Sequence, residues 1–367
     1  MSTASPPDLL AAPADDLLTL TAALVAVPSV SRDEQELADR VERRLAERAP
    51  GLALTRIGNN VIVRTELGRD RRVVLGGHLD TVPANANELP RLDGDVLHGL
   101  GSADMKGGLA VLLRLAEEIA AGAEPGVDTT LFFYEGEEIA EEYNGLRRVF
   151  ADRPELVAGD FAVLLEPTSG HIEAGCQGTL HLRAHFDGDR AHSARPWQGS
   201  NAIHAAAEVL HRLAGHESDT VMVEGLPYRE SLQVVRIEGG VANNVVPDSC
   251  TLVVNRRFAP RYSVDEAQAQ VEKLLAGADR IEVVNASPAA PPNLDHPLVA
   301  EFVETLAVDV EPKLGWTDVA RFAARGVPSV NFGPGDPDVA HTADERVTRA
   351  SIEDCYAALS RFLRLAG

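Results

Sequence analysis

The sequence sets imidazoles and carboxylates at the ends of short apolar segments, which is where metal chemistry can be built. In His78-Leu79-Asp80 the two polar side chains are two residues apart, so on an extended backbone they project to the same side. Such a pair suits a metal-bound imidazole, which usually donates its second N–H to a carboxylate that fixes the tautomer. Alone, it would read more readily as a strand-edge pair of local structural use. Asp104 lies in the glycine-rich segment Gly101–Gly108 just before a helical pattern, where an N-cap is the commoner use of Asp. Glu137 and Glu138 follow another apolar segment, and adjacent carboxylates repel unless a cation or a shared proton compensates them. Glu166 precedes Pro167, whose ring restricts the backbone ahead of it, and His341 follows the glycine- and proline-rich Gly333–Pro337. Glu135, Glu141 and Glu142 read as solvated neighbours.

Two histidines and several carboxylates offer nitrogen and oxygen donors without sulfur. Zinc suits that set first, then cobalt or manganese. Five ligands exceed the usual three of one catalytic zinc, whereas a pair of ions sharing a bridging carboxylate uses them economically. Such pairs lie ~3.5–4 Å apart and activate a water between them.

The chain has 367 residues, 34 Lys+Arg against 56 Asp+Glu, a net charge of −22, and 45% hydrophobic residues. At roughly 100–200 residues per domain, this predicts about two globular domains and argues against disorder. So acidic a chain, with no run of Lys or Arg, repels phosphate backbones and anionic surfaces, so no nucleic acid and no membrane is expected as partner. Cys176, Cys250 and Cys355 are far apart and form no CxxC pair, which indicates neither a disulfide framework nor a thiolate zinc site and fits a reducing cytoplasm. No basic residue precedes Arg32 and Asp8, Asp15 and Asp16 interrupt the first apolar stretch, so no signal peptide is expected.

The elements that must position these groups follow from periodicity. Amphipathic helices are predicted over 15–27 and 33–49, the second with Ser31 as cap, then a hairpin about Gly58-Asn59-Asn60. Strands over 72–76, 129–134 and 161–165 alternate with a helix over 109–121. That alternation implies an α/β domain with a mainly parallel central sheet, whose ligands gather beyond the strands' carboxyl ends. Those ends carry His78, Asp80, Glu137, Glu138 and Glu166. From Gly178 the order becomes β-α-β-β-α-β, with strands over 179–186, 231–237, 250–257 and 281–284 and helices over 201–214 and 264–276. After the Pro-rich stretch that follows, helices near 298–306 and 318–324, a strand over 329–332 and a helix over 350–366 resume the first pattern. The expected division is 1–177 and 289–367 for one domain with 178–288 inserted into it.

Gly77-His78-Leu79-Asp80-Thr81-Val82-Pro83, Gly101-Ser102-Ala103-Asp104-Met105-Lys106-Gly107, Glu137-Glu138, Glu166-Pro167-Thr168 and Ala340-His341-Thr342, in that order, resemble the M20 family of metallopeptidases and amidohydrolases. Glu173–Thr179, Ala191-His192-Ser193-Ala194-Arg195, Gly315-Trp316-Thr317-Asp318-Val319 and Gly333–Pro337 resemble its desuccinylase branch. The resemblance implies a zinc-aminopeptidase-like catalytic domain with an inserted ferredoxin-like dimerisation and lid domain. It implies two zinc ions per subunit, with cobalt or manganese as alternatives in one site. His78 and Glu166 would hold one ion and Glu138 and His341 the other, with Asp104 bridging, Asp80 orienting His78 and Glu137 as general base. A cis peptide is implied at Asp104-Met105. His192 would come from the partner of a homodimer to stabilise an oxyanion, and Arg257, Asn244, Thr317 and, more weakly, Arg195 would bind substrate. The implied substrate is an N-succinyl amino acid, N-succinyl-LL-2,6-diaminopimelate. Acetylornithine deacetylation or another M20 deacylase or peptidase activity is the alternative among enzymes, and a non-catalytic binding protein on the same fold is the alternative outside them.

Overall fold

The computed structural model describes residues 8–365, so the last residue of the helix expected over 350–366 lies outside the described residues. The chain divides into two compact units, one of residues 8–174, 293–311 and 321–365, the other of 175–292 and 312–320. No helix of the described residues is long and apolar enough to cross a membrane.

The first unit is built on an eight-stranded mixed sheet, in the order Ala53–Ile57, Asn60–Arg64, Asp128–Tyr134, Arg72–His78, Phe161–Leu164, Ser329–Asn331, Ile172–Ala174 and Val310–Pro312. The four central strands, from Asp128–Tyr134 to Ser329–Asn331, run parallel. Asn60–Arg64 and Ile172–Ala174 join them antiparallel on either side. Every residue of Asp128–Tyr134 and Phe161–Leu164 is buried, as in strands covered on both faces. His78 is in register with Tyr134, and Gly76 with both Phe132 and Leu164. The strands therefore end nearly level, and their carboxyl ends open on one edge of the sheet.

The helix Gly107–Ala120 is buried along Leu109–Leu113, a stretch that is apolar all round. Phe161, Phe302, Phe332 and Phe362 pack edge to face with centroids 4.8–5.9 Å apart. That cluster joins a central strand to the helices Pro297–Leu306 and Arg349–Leu363, so the segments before and after residues 175–292 share one core.

Several local expectations change. The first helix is Leu17–Val25, capped by Asp16, and it is buried at eight of its nine residues, so it is a core helix and not an amphipathic one. The second, Gln35–Arg48, has no side-chain cap; Ser31 instead donates its hydroxyl to Asp80 Oδ2 at 2.8 Å, a buried acceptor that outcompetes the helix end. The helix Gly145–Asp152, capped by Asn144, and the small sheet of Arg346–Thr348, Val96–His98 and Arg91–Asp93 were not foreseen. Three-residue strands are too short to show a period.

The second unit contains a four-stranded antiparallel sheet in the order Ser231–Gly239, Ser249–Phe258, Gly178–Asp187 and Arg280–Ser287. Strict alternation turns Leu180, Leu182, Ala184, Phe186, Leu252 and Val254 into its core, with Val209 and Val271 from the helices Ala202–Ala214 and Val264–Leu274. Asn201 caps the first helix, and Ser263 with Glu266 forms a capping box on the second. An additional hairpin, Thr220–Val223 with Leu226–Arg229, follows the first helix.

Candidate metal centre

Three of the four parallel strands lead directly into site residues: His78 ends one, Glu137 and Glu138 follow another, and Glu166 follows the third. Asp104 stands between them. Its Oδ1 is 3.0 Å from His78 Nε2, and its Oδ2 is 3.3 Å from His341 Nε2. His78 Nε2 lies 4.0 Å from Glu166 Oε2, and His341 Nε2 lies 2.8 Å from Glu138 Oε1. Two donor groups result, His78–Asp104–Glu166 and Asp104–Glu138–His341, each with ligand atoms within 4.8 Å of one another. A central carboxylate that turns one oxygen to each imidazole fits a pair of divalent ions of borderline or hard character.

The local fold explains these placements. Asp80 accepts the Ser31 hydroxyl at 2.8 Å and the backbone N–H groups of Glu137 and Glu138 at 3.0 and 3.1 Å, so its carboxylate fixes the acidic loop. His78 Nδ1 is 3.0 Å from the Asp80 carbonyl oxygen and 3.6 Å from its carboxylate. The main-chain carbonyl thus makes the shorter contact with the imidazole that the sequence had led us to expect from the side chain. Gly136 permits the turn into Glu137: its φ is +71°, and an added Cβ would lie 2.3 Å from the Tyr143 carbonyl oxygen.

Asp104 is not a helix cap. It lies in a wide helical turn, Ser102–Lys106, closed by the Lys106 N–H on the Gly101 carbonyl at 2.7 Å, and its backbone leaves helical geometry at φ −120°, ψ 92°. The Asp104-Met105 peptide is cis. The helix that follows begins at Gly107 with no side-chain cap.

The ionisation pattern is that of two imidazolium ions clasping carboxylates. Burial opposes charge on His78, yet Asp104, Glu166 and Asp80 hold its pKa well above the ordinary value. Hydrogen bonds to Asp104 and Glu138 raise His341 to about 10. Burial works against an ionised Asp104, but the two imidazoles outweigh it and hold its carboxyl well below the usual range. These histidine protons are the ones a metal must displace.

Sequence reasoning passed over Glu345 and Lys106. Glu345 accepts the N–H groups of Gly101, Ala103 and Asp104 at 3.0, 3.0 and 3.1 Å. Lys106 donates to the Val27 carbonyl at 2.9 Å, and burial lowers its pKa to about 7 against the attraction of Glu345. Lys106 stood inside a motif already used and Glu345 just past another, where a second buried charge leaves no periodic signal.

The remaining candidates belong to the second unit. His192 and Asn244 are exposed on adjoining loops, joined by the Ser193 N–H on the Asn244 carbonyl at 2.9 Å. Arg195 follows in the first of these loops, its N–H on the His192 carbonyl at 2.7 Å. Arg256 pairs with the buried Glu230 at 2.6 Å, while Arg257, on the opposite face of the strand, has no carboxylate partner among the described residues. Burial pulls the Arg257 pKa down. Thr317 is buried, with its carbonyl 3.8 Å from Cys176 Sγ. That thiol is pushed up to about 11 by burial and is no nucleophile.

Residues 74–365 match the sequence pattern of Peptidase family M20/M25/M40. The chain belongs to this family. It is 48% identical over 349 residues to a relative from Mycobacterium tuberculosis, covering 95% of this chain and 98% of that one, whose name assigns it to succinyl-diaminopimelate desuccinylases. It is 42% identical over 354 residues to the succinyl-diaminopimelate desuccinylase of Corynebacterium glutamicum, covering 95% and 96%. Among solved structures, the aminopeptidase PepT of Bacillus cereus superposes with a TM-score of 0.80 at 20% identity, covering 96% of this chain and 98% of that one. At that identity the likeness speaks for the M20 fold alone.

Proposed function

We infer that the chain is a metal-dependent amide hydrolase that converts N-succinyl-LL-2,6-diaminopimelate and water to succinate and LL-2,6-diaminopimelate, in lysine and diaminopimelate biosynthesis. The observation that carries this reading is Asp104 shared between two imidazole–carboxylate groups, in a chain similar nearly end to end to relatives named for that activity. His78, Asp104 and Glu166 would hold one zinc ion, and Asp104, Glu138 and His341 the other, with cobalt or manganese as substitutes. When bound, such ions supply Lewis acidity to the amide carbonyl and lower the pKa of a water between them.

The chain's own residues supply the proton chemistry and the orientation. Glu137 stands next to a donor without belonging to either group, which suits a general base. It takes the proton of the attacking water as the C–O bond forms, and returns it to the nitrogen as the C–N bond breaks. His192 of the partner subunit would donate to the oxygen that gains negative charge. Arg257, without an acidic partner among the described residues, would pair with a substrate carboxylate, with Asn244, Thr317 and Arg195 completing recognition.

In this reading residues 178–288 form the ferredoxin-like dimerisation and lid domain, and 1–177 with 289–367 the catalytic domain of a cytoplasmic homodimer. Support for a dimer comes from the edge strand Ser231–Gly239, where Val235 and Ile237 are 58% and 51% exposed. An edge strand that exposes such side chains, here beside Gln233, Arg236 and Glu238, is a template for pairing with a second chain.

Amine release from succinyl-diaminopimelate, acetylornithine and a set of dipeptides, measured with zinc-loaded protein, tests the assignment. Fastest release from the succinyl substrate is expected, and preference for either of the others overturns it. Glu137→Gln should keep its ions and lose ~10²–10⁴ in turnover.

A further inference from the structure

Two buried carboxylates beside the site grip backbone instead of reaching into the donor groups. Asp80 grips the Glu137–Glu138 loop, as described. Glu345, 1% exposed, grips the loop that carries Asp104: Oε2 accepts from Gly101, and Oε1 accepts from both Ala103 and Asp104. Its own main chain is tied to the other side of the site. The Glu345 N–H donates to the Thr342 carbonyl at 3.3 Å, and the Thr342 hydroxyl donates to the Val339 carbonyl at 2.7 Å, closing successive turns around His341. The Glu345 carbonyl receives the Gly99 N–H at 3.1 Å, and the next residues, Arg346–Thr348, pair with Val96–His98.

We propose that Glu345 is a positioning residue for the metal pair: its carboxylate locks the Asp104 loop to the His341 loop, so that the two donor groups form as one unit. The proposal rests on the dinuclear reading of the site. The chemistry requires a carboxylate. Three N–H groups converge on two oxygens, and only an acceptor-only group with about four lone-pair sites can satisfy all of them. Glutamine has nearly the same shape but must turn an NH₂ toward at least one of these N–H donors. His341 needs such support because it is a non-glycine residue at φ +63°, a conformation that isolated backbone seldom adopts. Asp104 needs it because a shift of its loop moves an oxygen away from each imidazole at once.

The experiment compares the parent chain with Glu345→Gln, Glu345→Ala and, as a control for lost stability, Phe302→Leu in the aromatic cluster. Affinities for zinc are measured by chelator competition, and the cobalt-substituted forms by visible absorption. Both Glu345 variants should bind the more weakly held ion ~10–100-fold less tightly, the usual cost of losing a group that orients ligands, and their cobalt spectra should change. Phe302→Leu should lower the melting temperature and leave both affinities in place. Glu345→Gln with both affinities within about twofold of the parent and an unchanged cobalt spectrum overturns the positioning role, whatever its melting temperature. A parent chain that takes up fewer than two ions overturns the dinuclear reading and this proposal with it.

Discussion

The two donor groups share Asp104 and the same ligand chemistry, yet they are supported in opposite ways. His78 is 1% exposed at the end of a parallel strand, and Glu166 follows a neighbouring strand whose register is fixed by pairing on both sides. The side chain of His341 is 49% exposed in a loop of successive turns, and Glu138 follows the Gly136 turn. Sheet geometry preorganises His78 and Glu166; backbone N–H groups donating to the Asp80 and Glu345 carboxylates hold the loops of Glu138 and Asp104. The contrast teaches where affinity should come from. Two donors of the first group, His78 and Glu166, are in place whenever the sheet is folded, whereas the His341 loop of the second can loosen while the core stays intact. The ion of the buried group should therefore bind more tightly and exchange more slowly.

The largest effect should come from the residue the two halves have in common. Asp104→Ala removes a donor from both groups and leaves two imidazoles facing one acid each, so neither ion should survive dialysis against a chelator and turnover should fall to background. Elemental analysis of metal per chain checks this, and one firmly retained equivalent would show that the halves are independent.

A smaller effect, and a sharper test of the contrast, comes from removing one imidazole at a time. His341→Ala should keep one ion per chain after the same dialysis, with its melting temperature close to the parent's, because it leaves an exposed loop. His78→Ala should keep less than one ion and melt lower, because it opens a gap among Asp104, Glu166 and Asp80 in a dry setting and leaves their charges uncompensated. Equal ion retention in the two variants would erase the distinction.

The ligands at strand ends, which fall in both halves, were the more legible in the sequence. Apolar runs ending in His78, Glu137-Glu138 and Glu166 mark parallel strands, and parallel strands deliver their ends to one edge, so fold and ligands were read from the same residues. His341 and Asp104 carried no such periodicity. Only the order of motifs singled them out, and taken alone Asp104 was better read as a cap. Glu345 was invisible, because its role is to accept N–H groups from residues 241 to 244 positions away. Long-range bonds to backbone leave no mark on local composition. The same holds for Ser31, whose hydroxyl serves Asp80 across 49 positions and not the helix that begins nearby.

The smallest expected effect concerns pH, and it separates the metal-free chain from the loaded one. Without ions, His341 has its pKa raised from 6.5 to about 10 by its hydrogen bonds to Asp104 and Glu138, and His78 is raised as well. A histidine whose pKa is higher folded than unfolded binds its proton more tightly in the native state. Its stabilisation is complete below about 6.5, the unfolded value, and is lost as pH rises toward the folded value. The melting temperature of the metal-free chain should accordingly decline from pH 7 to 9. Zinc-loaded protein holds both imidazoles neutral already, so their share of the decline is absent from its curve, while Lys106, lowered by burial to about 7, titrates in both forms and cancels from the comparison. The gap between the two curves should widen with pH, and calorimetric scans at several pH values measure it. Because His341 is the exposed partner, solvent screens its share, and His341→Ala should remove only the smaller part of the metal-free decline. A decline abolished by His341→Ala alone would place the titrating weight in the loop and reverse the order of the two halves.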